Sequence, residues 1–457
     1  MSKLFGCLFT AIIVIGCSPK SATEESVGKP VRLITVDPGH FHAALIQKTT
    51  YNDIDSTVHV YAPGGQDLKM YLDMINSYNS RAENPTNWNE VIFSGDHFFE
   101  RMIAEKPGNV VVLAGNNQRK AEYILKSLEA GLNVYADKPM VIDAAGFEQL
   151  KKAFEIAQRK KLLLYDIMTE RFEITTILQR ELSKIPAIFG ELEKGTPENP
   201  AIIKESVHHF YKMVSGNVLV RPAWFLDTQQ QGEGIVDVMT HLVDLVQWEA
   251  FPEQALDYTK DVRITSARRW TTDIPLSKFR AITKLDAFPE FLKGNVVTDS
   301  VLKVSSNGEI NYQLRGINAR TSVIWNYESK DHSGDTHYST MRGTKANLVI
   351  RQGAEENYKV TLYIEPTGTP TGAYEDAVKQ AFADLQKSYD GIELVKAGNG
   401  WMVSIPEKYK EGHEAHFGRV TEKFIGYIVN GALPDWEVPN MLAKYYTTTA
   451  ALELSKK

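Results

Sequence analysis

Residues 110–140 constrain the fold of this 457-residue chain more than any other stretch. Residues 110–113 read Val-Val-Val-Leu, a short continuous apolar run of the kind buried on both faces of a parallel sheet. Residues 117–130 carry helical spacing, and Gly131 suits the left-handed residue that closes a helix. Residues 133–136 form the next strand. A strand, a crossover helix and a second strand belong to a doubly wound sheet, and such sheets bind ligands beyond the carboxyl ends of their strands. Asp137-Lys138-Pro139 stands at that edge. Proline fixes φ, and an X-Pro bond can be cis, a geometry that would aim the lysine into the crevice. Taken alone, a Lys-Pro turn also reads as a surface loop.

A second motif lies downstream. Residues 232–248 read GEGIVDVMTHLVDLVQW. Ile235, Val236, Val238, Met239, Leu242, Val243, Leu245 and Val246 nearly surround the helix, so most of it is buried. The exceptions, Asp237, His241 and Asp244, are four and three residues apart and share one stripe. A carboxylate is costly to bury unless it is paired or faces a wet cavity. The stripe therefore marks a site or an internal hydrogen-bond network.

The run SLEAGLNVYADKPM (residues 127–140) resembles the ALEAGKHVLVEKP signature of the Gfo/Idh/MocA oxidoreductases, with Asp137 where glutamate is usual. The resemblance covers roughly residues 31–250 by motif and the remainder more loosely. It implies an α/β fold. An N-terminal Rossmann-like doubly wound parallel sheet would span residues 31–166. A C-terminal α+β domain with an open, mainly antiparallel sheet would span residues 167–457, and its flat face would make a homo-oligomer interface. The resemblance further implies hydride transfer between NAD(P) and a sugar or cyclitol hydroxyl. Lys138, Asp237 and His241 would carry it, with Asp237 orienting His241. His241 would remove the hydroxyl proton and Lys138 would stabilise the developing oxyanion. Imidazole suits the role because it titrates near neutral pH.

The nucleotide stretch departs from the usual pattern. The strand at 33–36 is followed by Asp37-Pro38-Gly39-His40-Phe41-His42. Against GxGxxG, Asp37 takes the first glycine's place and His42 the third's, leaving Gly39 to admit a pyrophosphate. Asp37 would repel that pyrophosphate unless it points away or caps the following helix. Gly39, His40, Phe41, His42, Asn116, Asn117, Asp137, Lys138 and Pro139 are the expected cofactor contacts. The strand at 57–62 ends without an acid for a ribose diol, and Asp67 is the nearest one. NAD and NADP are therefore not distinguished by motif; a tightly held NAD is favoured for an exported enzyme without access to a cofactor pool. Residues 63–105 exceed the length of one crossover helix and read as an insertion or lid.

In the second half, residues 301–304, 310–314 and 322–325 alternate in strand fashion, and residues 336–350 follow with Gly343 at a turn. His208, His209, Tyr211, Arg221 and Trp224 offer the aromatic faces and forked donors of a sugar-binding wall. His413 and His416 lie three apart on the last long helices without an evident third ligand, so no metal site is expected.

The net charge of −6 and the absence of long basic clusters argue against a nucleic-acid partner. Lys3 followed by the apolar residues 8–15 reads as a signal segment over residues 1–17. Val14-Ile15-Gly16-Cys17 resembles a bacterial lipobox with Cys17 acylated, and residues 18–30 would tether the chain to a membrane facing the periplasm, the outer membrane in preference. Two other outcomes stay open. One is a redox-neutral glycoside-processing enzyme that oxidises, eliminates and re-reduces on bound NAD. The other is a sugar-binding lipoprotein without catalysis.

Overall fold

The computed structural model describes residues 1, 30–214, 217–298, 300–329 and 334–457. The expected signal segment, Cys17 and the body of the tether lie outside the described residues. Among the described residues, no helix is long and apolar enough to cross a membrane.

The first half alternates strand and helix without interruption: β1 (Leu33–Val36), α1 (His42–Leu45), β2 (Thr57–Ala62), α2 (Gly65–Ser80), β3 (Asn89–Ser94), α3 (Phe98–Glu105), β4 (Val110–Leu113), α4 (Lys120–Glu129), β5 (Asn133–Asp137), α5 (Ala144–Lys160) and β6 (Leu164–Ile167). All neighbouring strands are parallel, in the order β3-β2-β1-β4-β5-β6. That order reverses between β1 and β4, where a doubly wound sheet opens its crevice. β1 and β4 are buried along their whole length, as their unbroken apolar runs require. Residues 63–105 are therefore neither insertion nor lid, because α2, β3 and α3 complete the first half of the sheet. β3 escapes a sequence reading because it is an exposed edge strand: Val91 and Ile92 are nearly half exposed, so it carries no buried apolar signature.

After α6 (Ile174–Ser183) the chain builds a ten-stranded sheet. Its strands are β7 (Ile202–His209), β10 (Val262–Pro275), β11 (Val296–Val297), β12 (Val301–Leu314), β13 (Ile317–Asn326), β14 (Thr336–Arg342), β15 (Ala346–Arg351), β16 (Thr361–Pro366), β17 (Glu393–Ala397) and β18 (Gly400–Ser404). The two-residue strands β8 (Met213–Val214) and β9 (Asn217–Val218) form a hairpin off it. All pairings in the large sheet are antiparallel except β7 with β13. The interspersed helices are α7 (Met239–Ala250), α8 (Tyr258–Asp261), α9 (Leu276–Thr283), α10 (Gly372–Gln386), α11 (His413–Asn430) and α12 (Glu437–Ser455).

The last two helices return to the first sheet. Phe417, Phe424, Met441 and Tyr445 share one apolar core with the strands β1 to β6. The Phe424 ring stacks on Tyr135 at 4.4 Å and lies parallel to Tyr165 at 6.0 Å. A boundary at residue 166 thus describes chain order, while the core of the first half is completed by residues beyond 413.

Candidate active site

Two turns at the carboxyl edge of the parallel sheet set up the site. One follows β1 and carries His40, Phe41 and His42; the other follows β5 and carries Lys138. Gly115 lets the turn after β4 close on the first, since a Cβ there would lie 2.0 Å from the Asp37 carbonyl oxygen. The Lys138–Pro139 bond is cis. Above this edge, α7, β7 and β13 wall a cavity of about 430 Å³, into which Lys138, Asp237, His241, His208, Arg221 and Trp325 all face.

The Lys138 Nζ donates to Asp237 Oδ1 at 2.8 Å, and the Gln231 side-chain amide donates to Asp237 Oδ2 at 3.0 Å. Burial alone would lower the Lys138 ammonium, but the Asp237 and Asp137 carboxylates outweigh it and hold the group above its usual range. Asp237 precedes α7 and spends its oxygens on Lys138 and Gln231. It does not orient His241, whose Nδ1 is buried without a hydrogen-bond partner. Burial and then the nearby Lys138 charge hold the His241 imidazole far below its ordinary pKa, so it is neutral, with an unprotonated ring nitrogen but a basicity below that of free imidazole. The third residue of the stripe, Asp244, belongs to a different structure. It pairs with Arg171 at 2.6 and 2.7 Å and with Lys444 at 2.8 Å, in a buried network outside the cavity lining.

The expected nucleotide contacts are arranged unusually. Asp37 takes a left-handed φ of 50°, in the place where glycine is usual, and burial next to Asp67 pushes its carboxyl up to about 6. It does not cap the following helix, which is only four residues long. A Cβ on Gly39 would meet Asp67 Oδ2 at 3.0 Å and the Trp224 ring at 3.3 Å, and the Trp224 indole donates to that same oxygen at 2.8 Å. Asn116 donates to the Gln230 side chain at 2.7 Å, and Asn117 donates to the Gln231 carbonyl at 2.8 Å. The chain's own residues thus lie over Gly39 and the turn after β4, and two carboxylates line the path a pyrophosphate would take. The stretch admits a dinucleotide once the Asp67 and Trp224 side chains over Gly39 give way.

His42, Asp137 and His40 lie together instead. The His42 Nδ1 is 2.9 Å from Asp137 Oδ2 and the His40 Nδ1 is 3.9 Å from it. Phe41 is more than a third exposed, its ring resting against both histidines. His413, at the start of α11, brings its Nε2 to 3.4 Å from that of His42.

Of the expected sugar-binding wall, His208 and Arg221 reach the cavity. His208 stacks on Trp325 at 5.0 Å and its Nδ1 is 2.8 Å from Asp335 Oδ2. Arg221 donates to the Phe210 and His209 carbonyls, and burial lowers it to about 10. His209, Tyr211 and Trp224 are not part of this lining. His209 lies against Asp335, Tyr211 packs near Tyr327, and Trp224 covers Gly39. Several cavity residues escaped the sequence reading, Trp325, Asp335 and Glu170 among them. Asp335 accepts from His208, His209 and Lys212, but its loop carries no motif. Glu170 is pushed up to about 7 by burial and then by Glu173, and its only sequence sign is its place just after β6.

Residues 178–456 match the family described as "Putative oxidoreductase C terminal domain". The chain is also similar to the crystal structure of a "putative oxidoreductase" from Parabacteroides merdae, at 56% identity and a TM-score of 0.92 over 94% of this chain and 98% of that one. A 3-ketoreductase from Actinomadura kijaniata, solved with NADP and TDP-benzene, shares the fold at 12% identity and a TM-score of 0.56, covering 93% and 98% of the two chains. Biliverdin reductase from Synechocystis sp. PCC 6803, solved with biliverdin and NADP+, does so at 12% and 0.55, covering 94% and 100%. No curated protein matches. The chain belongs to the oxidoreductase C-terminal-domain family, and its fold is the α/β arrangement implied by the Gfo/Idh/MocA resemblance.

Proposed function

We propose that this member of the oxidoreductase C-terminal-domain family removes the proton from a hydroxyl of a small polyhydroxylated, carbohydrate-type substrate held in the cavity. The observation that carries the reading is the meeting of the Lys138–Asp237 ion pair and the neutral His241 in one cavity. A substrate oxygen beside Lys138 would meet a fixed ammonium, which stabilises an oxyanion as it forms. His241 would accept the proton. Trp325, Arg221 and His208 line the same cavity and supply aromatic and polar surface of the kind a sugar would meet.

This hydroxyl deprotonation accompanies hydride loss from the carbinol carbon in dehydrogenation; elimination beside the oxidised carbon would instead remove an acidic C–H proton and expel the substituent, a separate proton transfer. In dehydrogenation the hydride would pass to NAD or NADP, the acceptor implied by the resemblance and present in the two distant reductases. Asp67 and Trp224 lie over Gly39 and would have to give way for a dinucleotide to bind there.

The test has two arms. Turnover is screened over sugars, amino sugars and cyclitols, with Lys138→Met and His241→Gln expected to lower kcat/KM by at least about a hundredfold. Retention of full activity by both variants would overturn the assignment. In parallel, the protein is denatured and its supernatant analysed for NAD and NADP by mass spectrometry. Stoichiometric nucleotide would support hydride chemistry on a held cofactor, whether net or redox-neutral. Its absence, with no binding of added nucleotide, would refute the NAD(P)-dependent form. Lipid attachment at Cys17 and self-association through the large sheet belong to the same proposal; acyl labelling of Cys17→Ala and light scattering test them.

A further inference from the structure

We propose that His40, His42 and Asp137 form a binding site for a divalent transition-metal ion of the zinc type, open on one side to the cavity. Their ligand atoms all lie within 4.8 Å of one another, on two turns that the sheet holds rigidly together. Metal–nitrogen and metal–oxygen bonds near 2 Å set neighbouring ligands roughly 3 to 3.4 Å apart. The observed 2.9 Å from His42 to Asp137 matches that spacing; His40 Nδ1 lies 3.9 Å from the same oxygen and accepts from the His42 amide at 3.4 Å, a weak contact that metal binding would replace.

Two further observations point to a cation. Asp137 Oδ1 is buried and has no hydrogen-bond partner, although a buried carboxylate oxygen normally finds a donor. A metal ion would satisfy it. The far side of His42 is also engaged: its Nε2 faces His413 Nε2 at 3.4 Å, the outer hydrogen bond that typically fixes the orientation of a metal-bound imidazole. His413 is therefore a positioning residue. The adjacent cation, Lys138, is neutralised by Asp237 and does not face the cluster alone. Lys120 donates to the Asp137 carbonyl and is the remaining opposing charge.

Two imidazoles and one carboxylate suit zinc and its first-row neighbours in preference to calcium or magnesium. Three protein ligands also leave a position for water or a substrate oxygen, the pattern of a catalytic rather than a structural site. His40, His42 and His413 all face the cavity that contains Lys138 and His241. The inference concerns binding alone, and its readout is independent of the hydroxyl chemistry above.

The experiment uses the full chain without a histidine tag, stripped with chelator and titrated with Zn2+ and Co2+. Bound metal is counted by mass spectrometry, and cobalt is followed by its visible absorption. We expect about one equivalent per chain, with affinity reduced at least about tenfold in His42→Ala and Asp137→Asn and by about ten- to a hundredfold in His413→Ala. His40 is partly exposed, so His40→Gln should keep the wild-type unfolding transition and carries the test if the buried variants do not fold. Failure of the wild-type chain to bind either ion would overturn the proposal. Unchanged binding in folded His40→Gln and His42→Ala would overturn it equally, by placing the ion elsewhere.

Discussion

Arg171→Leu should destabilise this protein more than most single substitutions. The Arg171 guanidinium lies 2.6 and 2.7 Å from the Asp244 oxygens and 3.1 and 3.2 Å from those of Glu437. Lys444 adds contacts of 2.6 Å to Asp166 and 2.8 Å to Asp244, and half-buried Lys423 approaches Glu437 at 3.4 Å. Three carboxylates thus face three cations, all of them buried except Lys423. Removing Arg171 strands one carboxylate in a medium where an unpaired charge costs about 3–5 kcal/mol. The assay is urea unfolding at pH 7, with the loss appearing as a lower midpoint at unchanged slope. Arg171→Leu combined with Glu437→Leu should lose less than the single variant, because opposite charges leave together. The single variant's deficit should also shrink on acidification, as the surplus carboxylate takes up a proton. A loss below about 1 kcal/mol would refute the claim that these charges are desolvated and mutually dependent. The network ties α12 and β6 to α7 one turn beyond His241, so a loosened seam would also disturb the cavity.

Gly115→Ala should cost about 3 kcal/mol, the upper end of the usual range for overpacking, because the new methyl would meet the Asp37 backbone rather than a flexible side chain, and thermal unfolding measures it. His40, His42 and His241 are all held below their ordinary pKa, chiefly by burial. The unfolded chain therefore takes up protons that the folded one does not, and stability should be full above about pH 6.5 and fall below it, by up to about 1.4 kcal/mol per pH unit for each histidine. Stability flat from pH 7.5 to 5 would contradict their burial as neutral groups. Asp67→Ala removes the carboxylate above Gly39 and releases the Trp224 indole, so NADPH affinity, read by fluorescence, should rise at least about tenfold, or about 1.4 kcal/mol. An unchanged affinity would show that the pair does not guard the path.

The fold class was legible because its signals are local. The apolar runs of β1 and β4 can be buried only on both faces, Gly131 ends α4, and the Lys-Pro turn must follow β5. The edge strand β3 was not legible, since half-exposed residues leave no burial pattern. Lys138, Asp237 and His241 could be picked out by residue type and spacing, and the structure places all three in one cavity. Their pairing could not be. The family resemblance implied Asp237 with His241, yet the helix begins only at Met239, and Asp237 turns to Lys138, 99 residues away in sequence.

The sequence by itself therefore determined the parallel sheet, the edge at which ligands bind and the reactive residue types brought there, because strand burial and turn chemistry act over a few residues. Only the tertiary structure decided which charges pair, that Trp224 and Asp67 lie over Gly39, and that His40 and His42 meet Asp137 beneath His413. Those contacts join segments about a hundred or more residues apart, and their energies depend on desolvation, which exists only once the chain has folded around them.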